Sequence, residues 1–364
     1  MVERFRERIY FTEKIPNGKF KVPNSTKIWL SHHWKKRTLL ILSIVWLTWF
    51  VAIMISGFMI VKDVLEQGYP FVEAIASALP ICDEFLVSDG YSTDGTYEVL
   101  NKISNLNPKV KVYRSKWPRK KNLTVLADVT NELRRKCHFD YIFSVQANEI
   151  IHEKSVPFIK ALPSMLPHVD TFSFPYIQLL NTYKFTEEFR LRFSKNLPEI
   201  VATRDAWTLA ASRAFVRAKW LRSLAHPRIL SEYLNNAIWY SYSNSCFDFR
   251  SRAIYLPKPI FRYWSLFPKY FLEKYKRHTE LFRLPKFPKS IEILQSHIDD
   301  PEIFWKLGSD VLGQSRFKEK LQYPEECAYV DRTDHPAVIQ EFISNTNANQ
   351  YYVREALFEL LRKL

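Results

Sequence analysis

The chain has 364 residues, is 47% hydrophobic and carries a formal net charge of +15; that is ample for a sizeable core and excludes a disordered chain. With only 7 glycines, it holds no glycine-rich phosphate loop of the Walker or dinucleotide type. The charge calls for an anionic partner, but the basic residues are spread out and no nucleic-acid motif stands out, so a phosphorylated substrate or a membrane surface is expected and nucleic acid is not.

Residues 1–37 are polar and hold 10 Lys or Arg, and the 24 residues 38–61 carry no charge. Such a run meets the length test for a membrane helix. It is not a signal peptide, because the leader is too long and no small-residue cleavage site follows it. However, Ile55-Ser56-Gly57-Phe58-Met59-Ile60-Val61 reads as a strand, which leaves about 17 residues for a span, the lower limit. Three readings stay open. Residues 38–53 form a helix that associates with a membrane, or they pack on the domain, or Met54 is the native start.

The four cysteines, Cys82, Cys137, Cys246 and Cys327, lie far apart. That spacing argues against a zinc site and fits reduced, mostly buried thiols in a cytosolic setting.

From residue 55 the pattern alternates. The strand at 55–61 is followed by a helix near 70–79, with Pro70 at its first turn. Phe85-Leu86-Val87 is an apolar run typical of a buried parallel strand. Asp89-Gly90-Tyr91-Ser92 breaks it, and Thr93-Asp94-Gly95-Thr96 leads into a helix at about 94–104. Val110–Tyr113 alternates as a strand, a helix covers about 122–136, and Tyr141–Val145 is a fourth strand. The order β-α-β-α-β predicts a parallel sheet covered on both faces. Asp89 then stands at the carboxyl end of a strand, where open α/β sheets bind ligands. The plain alternative is an Asp that forms the turn.

Asp89-Gly90-Tyr91-Ser92-Thr93-Asp94-Gly95-Thr96 after an apolar strand resembles the family 2 glycosyltransferases of the GT-A fold. The Ile-Ser-Gly-Phe strand at 55–58 and Gly68-Tyr69-Pro70-Phe71-Val72-Glu73-Ala74-Ile75 resemble the opening of one branch of that family. The fourth strand runs into Gln146-Ala147-Asn148-Glu149, then His152-Glu153-Lys154. The branch carries an acidic motif here that holds Mg²⁺ or Mn²⁺ against the donor diphosphate. This chain has Asn148 where Asp is expected. The resemblance implies Glu149, with Asn148, as the metal ligands, and a divalent cation whose binding is weakened or lost.

The resemblance also implies a nucleotide-sugar site. Asp89, Asp94, Gln146, Asn148 and Arg262 would meet the donor, and Lys120 or Lys121 its phosphates at a helix start. The family often has His ahead of Tyr263-Trp264; this chain has Arg262, whose guanidinium suits phosphate oxygens. A carboxylate lost and a cation gained suggest that Arg262 partly replaces the metal. Asp205, in Thr203-Arg204-Asp205-Ala206, is the first candidate for the base that takes the acceptor proton, Glu232 the second and Asp248 the third. Phe189-Arg190-Leu191-Arg192-Phe193 reads as a mixed amphipathic stretch. Beyond about 286 the spacing is helical and amphipathic, and His335-Pro336-Ala337-Val338 matches a structural element of the same branch.

The expected organisation is a basic tail and hydrophobic helix at 1–53, a GT-A-like catalytic domain at 54–285 and a helical extension at 286–364. The domain would be α/β, Rossmann-like, with a mixed, mostly parallel sheet and helices on both faces. The expected activity moves a sugar from a nucleotide-diphosphate donor to a saccharide, lipid or protein acceptor, with inversion. The alternative is a catalytically weak or inactive protein of the same fold that binds nucleotide or sugar as part of a surface-polymer or coat assembly. The expected location is the cytoplasm or the cytoplasmic face of a membrane.

Overall fold

A computed structural model describes residues 53–118, 124–203, 206, 208–211, 221, 224, 225, 237–241, 248–274, 288–300, 303–305, 307, 328–344 and 351–364. The described residues belong to one compact unit, Ile53–Leu364. Residues 1–52, with most of the uncharged run before the first strand, lie outside the described residues. No described helix is long and apolar enough to cross a membrane.

The first half alternates strand and helix: β1 (Ile55–Val61), α1 (Phe71–Ala78), β2 (Glu84–Asp89), α2 (Thr96–Leu106), β3 (Val110–Arg114), α3 (Thr124–Arg134) and β4 (Tyr141–Ser144). Every residue of β2 is buried, as expected of a strand covered on both faces. Burying one side chain such as Phe85 contributes roughly 2–3 kcal/mol. Gly57 lets β1 pass its neighbours, because a Cβ there would stand 2.4 Å from the Phe85 ring. The helix start at Gly95 and Thr96 is held by Asp94, whose Oδ1 accepts from the Thr96 backbone at 3.0 Å.

The second half is strand-rich. Short β5 (Glu149–Ile151) is followed by α4 (Val156–Met165), then β6 (Thr171–Leu180) and β7 (Tyr183–Lys195). The pair β8 (Ile200–Ala202) and β9 (Leu209–Ala211) follows, then β10 (Ala237–Ser241), β11 (Asp248–Ala253) and β12 (Ile260–Ser265). Residues 189–193, expected to be a mixed amphipathic stretch, belong to the 13-residue strand β7. Strand β6 reaches Leu180 because a tight turn, with Asn181 at φ 51°, folds β7 back onto it.

Among the described residues, 11 strands make one mixed sheet in the order β10-β11-β6-β7-β4-β1-β2-β3, with β5, β12 and β13 off this path, and β8 and β9 form a separate two-stranded sheet. From β4 through β1 and β2 to β3 the pairs are parallel. Strand β7 is antiparallel to both β4 and β6. The sheet, with helices packed on it, is a mixed α/β Rossmann-like domain of the GT-A kind. Chain order reverses at β1, which lies between β4 and β2. Ligands of open α/β sheets bind outside the carboxyl ends of the strands at such a switch point.

The C-terminal elements are α5 (Pro288–Ser296), β13 (Ala328–Tyr329), α6 (Gln340–Ser344) and α7 (Glu355–Lys363). Strand β13 pairs with β7. Helix α7 docks beside α2, where the Asn107 amide donates to the Leu361 carbonyl at 2.7 Å. Tyr351 donates to the buried Glu73 of α1 at 2.9 Å, and Arg354 reaches the same carboxylate at 3.4 Å. Burial raises the Glu73 pKa to about 7, against the opposing pull of Arg354.

Candidate active site

The two turns singled out in the sequence stand on either side of the switch point. On one side β2 ends in Asp89, which has no exposed surface. Its Oδ2 accepts from Arg114 Nε at 3.0 Å, and both oxygens lie 3.2 Å from the Ser92 backbone N–H. The Arg114 guanidinium lies over the rings of Tyr91 and Tyr97, at 4.3 and 4.0 Å from their centroids. Tyr91 has a φ of 59°, a left-handed backbone that a bulky residue rarely adopts and that clusters at functional sites. Asp94 faces elsewhere: its Oδ2 accepts from the Glu66 backbone at 2.8 Å. With its other oxygen on Thr96, it pins the helix start to the turn after β1.

That turn supplies two residues the sequence reading missed. Lys62 Nζ donates to the Gly90 carbonyl at 3.3 Å, and Asp63 Oδ1 accepts from the Thr93 backbone at 2.8 Å. Both follow β1 directly, so their signal was position at a strand's carboxyl end. Trp117 also stands here: its Nε1 lies 2.8 Å from where a Cβ on Gly90 would be.

On the other side β4 runs into Gln146 and Asn148. The Asn148 amide donates to the Tyr263 carbonyl at 2.8 Å, and the Tyr263 backbone N–H donates to the Asn148 carbonyl at 2.9 Å. An Asp at 148 would set a carboxylate against that carbonyl, so the amide suits this place. Glu149 is buried, with Arg192 Nε donating to its Oε2 at 2.9 Å and Nη2 to its Oε1 at 2.5 Å. The Gln146 backbone adds a third bond to Oε2 at 3.1 Å. Glu149 is therefore engaged by a fork-like guanidinium contact, and the amide nitrogen of Asn148 donates to a carbonyl. Among the described residues no three His, Cys, Asp or Glu side chains gather as a metal site. As placed, this donor set does not fit a hard divalent cation, which takes unencumbered oxygens.

Strand β12 sets Arg262 beside Glu149 on one flank and Gln178 on the other. Arg262 Nη1 donates to Gln178 Oε1 at 2.6 Å. Directly opposed residues share a face of the sheet, so this face also carries Tyr176, Glu188 and Arg190. Arg190 pairs with Glu188 at 2.5 Å. Among the described residues, the guanidiniums of Arg190, Arg192 and Arg262 thus gather with the carboxylates of Glu149 and Glu188. Burial raises the Tyr176 hydroxyl above its ordinary pKa, with the arginines opposing.

No protein-family profile and no curated protein sequence matches the chain. Solved structures do resemble it.

S. aureus TarS 1–349 superposes with a TM-score of 0.32 at 13% identity, over 74% of this chain and 76% of that one. The same TarS fragment in complex with UDP-GlcNAc gives 0.24 at 14% identity. That match spans 35% of this chain and only 34% of the other. Mannosyltransferase PcManGT from Pyrobaculum calidifontis, in complex with GDP-Man and Mn²⁺, gives 0.34 at 12% identity over 90% and 93% of the two chains. Likeness at this level transfers neither substrate nor chemistry.

Several expected residues lie outside the described ones: Lys120, Lys121, Asp205 and Glu232. Asp248 opens β11, and its side chain is not described. Gln146 Nε2 donates to the Ala206 carbonyl at 3.4 Å, which ties Ala206 to the carboxyl end of β4. The structure thus brings Asp89 to one side of the switch point and Gln146, Asn148, Glu149 and Arg262 to the other, while Asp94 serves the helix start. Of the cysteines, Cys82 and Cys137 are buried free thiols. Burial pushes both up, Cys137 to about 12.

Proposed function

We propose that the chain is a glycosyltransferase that takes a sugar from a nucleotide-diphosphate donor and passes it, with inversion, to a saccharide, lipid or protein acceptor. One observation carries this reading: the Asp89 turn and the Gln146–Asn148 turn, far apart in sequence, flank the switch point of a GT-A-like sheet. The donor lies across the ends of β1, β2 and β4, its base and ribose toward Asp89 and its diphosphate toward Asn148 and Arg262. Lys120 or Lys121 adds charge at the phosphates.

The acceptor hydroxyl oxygen attacks the anomeric carbon as the bond from that carbon to the diphosphate oxygen breaks. Asp205, next in sequence to the Ala206 that Gln146 holds, takes the hydroxyl proton; Glu232 and then Asp248 are the next candidates. The nucleoside diphosphate leaves with the bonding pair, and the Arg262 guanidinium stabilises its developing charge. With Glu149 held by Arg192, a fixed cation on β12 takes the place of a bound metal. The protein works in the cytoplasm or on the cytoplasmic face of a membrane, with residues 38–53 as the membrane-associating segment.

Titration of UDP-, GDP- and dTDP-sugars with and without Mn²⁺ tests this. Saturable binding that Mn²⁺ does not change supports the Arg262 role, and no binding of any nucleotide sinks the enzyme reading. Normal donor binding and hydrolysis by Arg262→Ala would remove Arg262 from the reaction. A second reading, a binding domain without turnover, is favoured by the same engagement of Glu149. Tight donor binding with no sugar released or transferred over many hours would decide for it.

A further inference from the structure

Lys274, in the helical residues 268–274, is buried, although lysine is almost never enclosed without partners for its charge. Its Nζ donates to the Trp264 carbonyl at 2.6 Å and lies 4.6 Å from the ring centroids of both Tyr69 and Trp264. A carbonyl and two ring faces all turn negative charge toward the ammonium, and such contacts strengthen when water is excluded. The residues come from three segments. Trp264 lies in β12, directly after the Tyr263 that Asn148 clamps and two residues after Arg262. Tyr69 belongs to the turn that follows β1. That turn is fixed to the Asp89 side: the Asp63 N–H donates to Ser92 Oγ, the Thr93 N–H to Asp63 Oδ1 and the Glu66 N–H to Asp94 Oδ2, each at 2.8 Å. Tyr270, on the same helical segment as Lys274, rests on Gly68, which has a φ of 64° and where a Cβ would stand 2.2 Å from the Tyr270 ring. The segment is thus seated on the turn after β1 by Tyr270 and joined to the end of β12 by Lys274.

We propose that Lys274 is a positioning residue for the donor: through Tyr69 and Trp264 its ammonium holds the Asp89 side and the Arg262 strand at the spacing that one nucleoside diphosphate spans; this rests on the nucleotide-sugar reading above. Strand β12 pairs with β5 and β6, so among the described residues no ladder of backbone bonds fixes it to β1. The spacing between Trp264 and the turn after β1 is left to side chains. An ammonium on a long stem suits that task, because it is drawn to Tyr69 on one side and to the Trp264 ring and carbonyl on the other. A neutral side chain of the same length fills the space without that pull. A ligand that reaches both sides of the site feels the spacing, and a shorter one that leans mainly on the Asp89 side feels it less.

The test titrates UDP, dTDP and GDP, and the matching monophosphates, into the full chain, into Lys274→Met and into Tyr69→Leu. For the diphosphate that binds the parent tightest, each variant is expected to lose about tenfold in affinity, and for its monophosphate less than about threefold. The double variant should lose little more than either single one, because both cut the same bridge. Tyr69→Leu removes no charge, so normal diphosphate binding by that variant overturns the proposal and leaves Lys274 as a source of positive field only. Equal losses for mono- and diphosphate overturn it too, since they mark damage to the Asp89 side alone. Hydrogen exchange supplies a readout that needs no nucleotide. The Tyr69 and Tyr263 amides, which donate to the Val64 and Asn148 carbonyls, should both exchange faster in Lys274→Met. Faster exchange confined to residues 268–274 would show that Lys274 holds only its own helix, and would overturn the proposal. If no nucleotide binds the parent, the nucleotide-sugar reading itself fails and the donor role falls with it, whereas parent-like binding by both variants overturns the positioning role alone.

Discussion

Asn148 and Tyr263 exchange two hydrogen bonds: the Asn148 amide donates to the Tyr263 carbonyl at 2.8 Å, and the Tyr263 N–H donates to the Asn148 carbonyl at 2.9 Å. The residue where the resembled family has an acid is therefore a clamp between the end of β4 and β12. The clamp also holds the strand that presents Arg262. A gain of an amide at 148 and of an arginine at 262 are then parts of one local arrangement.

Restoring the acid should damage the clamp rather than recreate a metal site. Asn148→Asp removes the donor to a buried carbonyl and sets a carboxylate against it. The expected loss is about 1–3 kcal/mol of unfolding free energy at pH 7, read from urea denaturation. Calorimetric titration with Mn²⁺ should show no new site. Appearance of tight, stoichiometric Mn²⁺ binding at unchanged stability would show that Glu149 can leave Arg192.

The Glu149–Arg192 pair is fully enclosed, with side-chain exposures of 1% and 0%. Removing one partner leaves the other charge buried and alone. Arg192→Met should therefore cost about 3–5 kcal/mol, and the double variant Arg192→Met with Glu149→Leu should recover most of it. Equal destabilisation by single and double variants would mean that the pair's geometry, not its charge balance, matters. Melting temperatures of the three variants decide.

How much of this site could be read from the sequence follows from the range of each interaction. The ends of β1 to β4, the turn at Asp89 and the helix start at Asp94 came from local signals: apolar runs, turn formers and capping residues. The role of Asp94 did not, because its second oxygen holds Glu66, 28 residues earlier. Arg190 and Arg192 alternate with apolar residues, which is a strand signal. A bulge in the β6–β7 register near Phe172 and Ser173 obscures which face they share. That Arg192 binds Glu149 is a contact across 43 residues, and no spacing rule contains it. The same holds for Asn148 and Tyr263, 115 residues apart.

Glu73 should make the C-terminal dock sensitive to pH. Its folded pKa, about 7, lies above the ordinary value of 4.5, so the folded state holds a proton that the unfolded chain releases. That contribution is complete below pH 4.5 and is lost as pH rises toward 7. It amounts to about 3 kcal/mol at most. Glu73→Gln, which keeps an acceptor for Tyr351, should flatten this part of the profile. The measurement is the difference in unfolding free energy between parent and variant across that window; a constant difference would show that Glu73 stays ionised.

His335 should act with the opposite sign. Its Nδ1 meets the Tyr263 hydroxyl at 2.7 Å, and its ring stacks against Tyr263 at 5.8 Å between centroids. Burial lowers its pKa to about 4 from 6.5, despite the raising influence of Asp331, Asp334 and the Val330 backbone, with His152 adding to the fall. A depressed histidine contributes stability that is complete above pH 6.5 and is lost as pH falls through about 4, again about 3 kcal/mol at most. Because the Glu73 and His335 windows overlap, the parent profile alone hides both, and each must be read as parent minus variant. His335→Gln should reduce the acid-side loss, while Glu73→Gln reduces the loss toward neutrality. Since Tyr263 carries the backbone clamp to Asn148, hydrogen exchange at the Tyr263 amide should quicken between pH 5 and 4, after correction for intrinsic rates, in the parent and not in His335→Gln. No such difference would mean that the His335 dock and the site strand are energetically independent.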